Sequence, residues 1–162
     1  EKTETIVESL DLSNEFGDFK RYISTIIIEL VRNAIIKINE EKSNSVAILE
    51  ILENENSFCF QVTDNLGLLK RVTVLEKLKR AFNTRSYEEK KSGAGLGFYM
   101  LLDASDKLIF LTEPSKKTTV KCIINKYKRL KEYKNKNVSL HFIEKWIKEC
   151  YEFRAYSWNT GI

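Results

Sequence analysis

Proline occurs once in this chain of 162 residues, at Pro114, and histidine once, at His141. Cysteine occurs three times, at Cys59, Cys122 and Cys150, widely spaced and without a CxxC pair. That count argues against a disulfide framework and, with a single histidine, against a zinc cluster; it points to a reducing compartment, with the cytoplasm as the expected location. No apolar run approaches the roughly 20 residues that a membrane helix needs, so no membrane insertion is expected. There is no charged-then-apolar leader at the start, and the chain begins at Glu1 without methionine, so it is expected to be a piece of a longer product. Two nucleotide motifs are also missing. There is no GxxxxGK[ST], and the late glycines follow a charged loop in a GxGxG spacing rather than a strand in GxGxxG, which excludes a P-loop and a Rossmann unit.

What is present describes one domain with a tail. Hydrophobic residues make up 43% and charged residues 31% of the chain, and a chain of this length buries roughly 70% of its unfolded surface in one core. The formal net charge of +4 is too small by itself to argue for nucleic acid. Residues 1–125 read as the domain and residues 126–162 as a basic, helical C-terminal extension. The segment Lys116–Lys136 is dense in lysine and almost free of acid.

Taken in order, Thr5–Leu12 reads as an edge strand, and Glu15–Asn39 as a long helix with apolar residues at Phe16, Phe19, Ile23, Ile27, Leu30, Ala34 and Ile38. Glu29 and Asn33 lie four apart on one stripe of that helix, flanked by Ile26 and Ile36. They form either an ordinary surface pair or a buried polar pair in need of an ion. Val46–Glu53 and Ser57–Thr63 read as a hairpin through a polar turn. Phe58, Phe60 and Val62 share a face by the period of two, and Asp64 falls on that face at the strand end, either as a turn opener or as a ligand. Leu68–Asn83 has helical spacing, and Thr84–Lys91 is a basic loop whose Arg85, Lys90 and Lys91 are candidates to meet a phosphate. SGAGLGFYM at Ser92–Met100 then enters a helix over Leu96–Ala104. A glycine-rich turn before a helix is either a plain entry or an anion site, because glycine lets the backbone approach a ligand and the first turn offers free N–H groups. Leu108–Thr112 and Thr118–Asn125 read as strands around a turn at Glu113–Lys116, and Leu140, Ile143, Ile147 and Cys150 mark one more amphipathic helix.

The ordered set of Glu and Asn on a helix, Asp ending a strand, a basic loop and GxGxGF entering a helix resembles the ATP-binding domain shared by gyrase, histidine kinases and MutL, the GHKL or Bergerat fold. The likeness covers roughly Thr5–Asn125. ELVRNAIIK at Glu29–Lys37 is most similar to the first motif of the anti-sigma-factor serine kinases, VTDNLGLL at Val62–Leu69 is similar to the adenine-binding box, and SGAGLGFYM to the last glycine box. The resemblance implies an α/β fold of the α+β sandwich type, with a mixed, mostly antiparallel sheet and helices packed on one face.

The resemblance further implies ATP and Mg²⁺ as cofactors. Asp64 would accept the adenine amino group with Thr118 of KTTV in support, Gly67 would lie in the adenine loop, and Asn33 would ligate Mg²⁺. Gly93, Gly95, Leu96 and Gly97 would wrap the phosphates, with Lys90 and Lys91 closing over them. Glu29 would be the catalytic residue, as general base or polarising group for an attacking hydroxyl or water. The expected partner is a regulatory protein, as phosphoacceptor or sequestered factor, and a homodimer stays open. A histidine-kinase catalytic domain severed from its dimerisation helices and a non-catalytic nucleotide-sensing module are the alternatives. One departure stands out. The family's adenine box is DxGxG, whereas Leu66 and Leu68 occupy its glycine positions here and Gly67 lies between them; two leucines remove backbone freedom beside the nucleotide.

Overall fold

Isoleucines at helical spacing build the first element of this computed structural model, which describes residues 17–83, 96–127 and 129–145. The expected strand at Thr5–Leu12, the basic loop with Arg85, Lys90 and Lys91, Gly93, Gly95 and the tail from Trp146 lie outside the described residues. Helix α1 (Gly17–Glu40) turns Ile23, Ile26, Ile27, Leu30, Ala34 and Ile38 into the core. It ends in two reverse hydrogen bonds, Ser43 N–H to Ile38 O (3.2 Å) and Lys42 N–H to Asn39 O (3.1 Å), with Lys42 at φ +47°. These satisfy carbonyls that the last turn would otherwise leave open.

Strands β1 (Ala47–Glu53) and β2 (Ser57–Asp64) follow as the expected antiparallel hairpin. Asn54 closes its turn: the side-chain carbonyl accepts the N–H groups of Asn56 (2.9 Å) and Ser57 (2.7 Å). Helices α2 (Arg71–Asn83) and α3 (Leu96–Ala104) come next, then β3 (Lys107–Glu113) and β4 (Lys117–Asn125) as a second antiparallel hairpin. Among the described residues the sheet is five-stranded in the order β1-β2-β4-β3-β5, mixed, with β1/β2, β2/β4 and β3/β4 antiparallel and β3/β5 parallel. The fold is α+β.

Strand alternation sends Phe58, Phe60 and Val62, Leu108 and Phe110, and Cys122 and Ile124 to one face, where they meet Ile26, Ile27 and Leu30 of α1 and Phe98 and Leu101 of α3. Phe98 stands edge-on to Phe110 at 5.4 Å, a favoured aromatic geometry. Helix α2 adds Val74 and Leu78 to the same core. No helix among the described residues is long and apolar enough to cross a membrane.

The C-terminal region differs from its expected helix. Leu130–Lys134 is a short helix, α4, and Ser139–Glu144 is a strand, β5. The reason is the free edge of β3, which pairs with this segment in parallel from Lys107↔Ser139 to Thr112↔Glu144. Pairing satisfies backbone groups along the segment and lets Phe142 stack on Phe110 at 6.2 Å, so tertiary context overrides a local helical spacing. Asp106 holds this corner together. Its carbonyl accepts Ser139 N–H (2.9 Å), and its carboxylate accepts Asn125 N–H (2.8 Å) and the Tyr127 hydroxyl.

Candidate functional site

The expected site residues that are described fall into two groups, both on or beside the helix-covered face of the sheet. The first is the junction of α1 and α3. Leu96 and Gly97 are the first residues of α3, and a side chain at 97 would collide with the Glu29 carboxylate and come within 3.3 Å of the Asn33 Nδ2. Glycine here therefore lets a helix start press directly against the polar pair of α1. The four-residue spacing of Glu29 and Asn33 is what aims both at one point.

The electrostatics of that junction are asymmetric. The Glu29 side chain is 13% exposed and has Arg32 Nη1 at 3.7 Å, while Arg32 is 60% exposed, so the solvated pair contributes little. The Asn33 Nδ2 is buried with no hydrogen-bond partner among the described residues. A buried polar atom left unpaired costs about 1–3 kcal/mol; such atoms are rare and call for a reason. The carboxamide can present a donor or, turned over, an acceptor oxygen. A carboxylate, a carboxamide whose nitrogen has no partner among the described residues and the positive end of a helix converge here, which suits a phosphate with its counter-ion.

The second group is at the ends of β2 and β4. Asp64 and Thr118 are direct cross-strand partners, both buried. Asp64 Oδ1 accepts the Leu66 N–H at 2.9 Å, a turn-opening bond that uses one of the two carboxylate oxygens. The following loop is fixed by Gly67, the one described glycine with positive φ, at +62°. Its carbonyl accepts Ser115 N–H at 3.2 Å, and a Cβ at 67 would strike the Glu113 carbonyl and lie 2.5 Å from Lys116 N. Leu66 and Leu68 are not among the positive-φ residues. The left-handed residue of this loop is thus the glycine between the two leucines, and it serves contact with the β3–β4 turn.

Sequence reasoning overlooked the partners of this loop. Thr112, buried at 2% exposure, donates its hydroxyl to Leu69 O at 3.2 Å and is the cross-strand partner of Thr118. Ser115 adopts φ +57° in the turn after Pro114. The turn was readable from its proline; its meeting with Gly67 had no local signal. Among the described residues no group of three or more His, Cys, Asp or Glu is placed to hold a metal ion, so any ion here would depend on ligand oxygens besides Asn33. Compared with known proteins, the chain matches no family model and no curated relative.

Proposed function

We infer that the chain is an Mg-ATP-binding regulatory domain of the GHKL type, acting as a protein kinase toward a hydroxyl on a partner. The observation that carries this reading is the seat of Gly97 on Glu29 and Asn33, with the Asn33 amide nitrogen buried and unpaired. It supports a phosphate-and-ion site because a helix start, a carboxamide and a carboxylate meet at the last glycine of the glycine box. Bound Mg-ATP would supply an electrophilic phosphorus and neutralise its own phosphate charge. Asn33 would hold the ion, and the N-terminal turn of α3 would bind phosphate oxygens. Glu29 would accept the proton of the attacking hydroxyl at its carboxylate, as general bases in phosphoryl transfer do. Asp64 would accept a hydrogen bond from the adenine amino group through the oxygen that Leu66 leaves free, beside Thr118.

The test is calorimetric titration of Mg-ATP, followed by phosphotransfer to a candidate partner. Saturable binding is expected, weakened at least tenfold by Asn33→Ala and by Asp64→Ala, while Glu29→Ala keeps binding and loses phosphotransfer. No heat at millimolar Mg-ATP overturns the reading.

A second reading, a nucleotide-free interaction module, is favoured by one observation. The Asp64–Lys70 loop is already tied to the Glu113–Lys116 turn through Gly67 and Ser115. The same titration separates the two.

A further inference from the structure

The sheet face opposite the helices carries a cavity of about 420 Å³, within the range of small-ligand sites. Strand alternation separates it from the candidate nucleotide site: Thr63 and Thr119 point to it, whereas their neighbours Asp64 and Thr118 point to the helices. Its apolar walls are Ile48 and Leu111, and its floor is Gln61. Gln61 is only 9% exposed; its Nε2 donates to Glu50 at 2.5 Å, and its Oε1 has no partner among the described residues. The two threonine hydroxyls bond each other at 2.9 Å, which uses one of their two protons and leaves the other as a free donor.

Charge is sorted within this cavity. Glu50 is engaged by Gln61, and Glu113 is paired with Lys117 at 3.4 Å. Lys121 and Lys145 line the same space, and neither forms an ion pair among the described residues. Gln61 is neutral, so Glu50 keeps its charge, and Lys117, Lys121 and Lys145 against Glu50 and Glu113 leave the lining with a net charge of +1, next to a hydroxyl donor and a carbonyl oxygen without a donor among the described residues. We propose that this cavity is a second binding site, for a small organic anion bearing a hydroxyl group. Lys121 and Lys145 hold the anion, the threonine pair donates to it, and the ligand hydroxyl donates to Gln61 Oε1.

Three probes dissect the recognition by two-dimensional NMR of the ¹⁵N-labelled chain: inorganic phosphate carries the anion alone, glycerol the hydroxyls alone, and glycerol 3-phosphate both. Glycerol 3-phosphate is expected to bind about tenfold more tightly than phosphate, the equivalent of about one hydrogen bond, with shifts at the Gln61 side-chain amide, Thr63, Thr119 and Lys121. Gln61→Leu removes that advantage and leaves phosphate binding as it was; Lys121→Met, which keeps most of the apolar stem, weakens both anions. Absence of saturable shifts, shifts on the helix-covered face, or an unchanged ratio in Gln61→Leu overturns the proposal. Mg-ATP binding by the same samples is a separate readout, so a chain that binds nucleotide but not glycerol 3-phosphate overturns this inference alone.

Discussion

Gly97 at the start of α3 lies so close to Glu29 of α1 that a methyl group at 97 would occupy the space of the Glu29 carboxylate. The contact is with the far end of a flexible side chain. It can yield, and the position of the carboxylate is what a substitution there would change.

Gly97→Ala is accordingly expected to leave global stability within about 1 kcal/mol, because alanine gains helix propensity of that order over glycine while Glu29 rotates away. If the chain is the kinase proposed above, phosphotransfer should fall at least tenfold as the carboxylate is displaced. Urea unfolding and a phosphotransfer assay on the same sample check both halves. A stability loss above about 3 kcal/mol, typical of severe overpacking, would show that the junction is rigid instead.

Gly67→Ala should behave in the opposite way. The residue sits at φ +62° and the new Cβ would meet backbone atoms of Glu113, Lys116 and Ser115, which cannot swing aside. Left-handed strain for alanine is about 1–2 kcal/mol, and the backbone collision adds to it. A loss of about 2–4 kcal/mol is expected in urea unfolding, together with faster hydrogen exchange at Ser115 N–H as the loop lifts from the turn.

These two glycines illustrate how much was legible. The periodicities of α1, of both hairpins and of α3 were readable because each element is held by a pattern that its own residues carry. Glu29 and Asn33 were readable as a pair for the same reason. The family resemblance implied Asp64 and Thr118 at one adenine site, but their direct cross-strand pairing was not foreseen, since nothing local links two strand ends so distant in sequence. The segment Leu140–Glu144 fits both a helical and an alternating pattern, and the free edge of β3 decided between them. Asp106, which joins the ends of three strands, gave no signal because its partners are backbone groups and the Tyr127 hydroxyl from elsewhere in the chain.

Lys42→Gly is expected to stabilise the chain. Lys42 holds φ +47° after the last turn of α1, a position where glycine avoids the Cβ penalty, and the residue is exposed. The gain should be about 0.5–1 kcal/mol, less than the full left-handed penalty because glycine also adds freedom to the unfolded chain. A shift of the urea midpoint at constant slope measures it. An unchanged or lower midpoint would mean that the lysine side chain contributes something that its surroundings do not reveal.

Stability should fall on the alkaline side. Burial pushes the Cys122 thiol well above its ordinary 9.0, with the nearby Cys59 adding to the rise. Burial also raises Tyr127 above 10.0, reinforced by its hydrogen bond to Asp106, and raises Tyr133 further than Tyr127, again chiefly through burial. Each group is neutral when protonated, so above its ordinary value the unfolded chain releases a proton that the folded chain retains. Unfolding then becomes more favourable with each step in pH. The contribution is fully present below about pH 8.5–9, begins to fade with the thiol, and fades faster once the tyrosines of the unfolded chain ionise near pH 10. Lys136 opposes the trend: burial lowers its value below 10.5, so its cost to the folded state disappears as pH rises. Cys59 is raised as well, chiefly by burial, and Lys37 chiefly by its hydrogen bond to Glu41, so five groups against one leave a net decline, measurable as a falling urea midpoint between pH 8 and 11. Tyr127→Phe should flatten the part near pH 10, and Cys122→Val, which keeps a buried group of similar size without a titrating proton, should flatten the part near pH 9. A midpoint that holds constant to pH 11 in the parent chain would contradict the burial of all three groups.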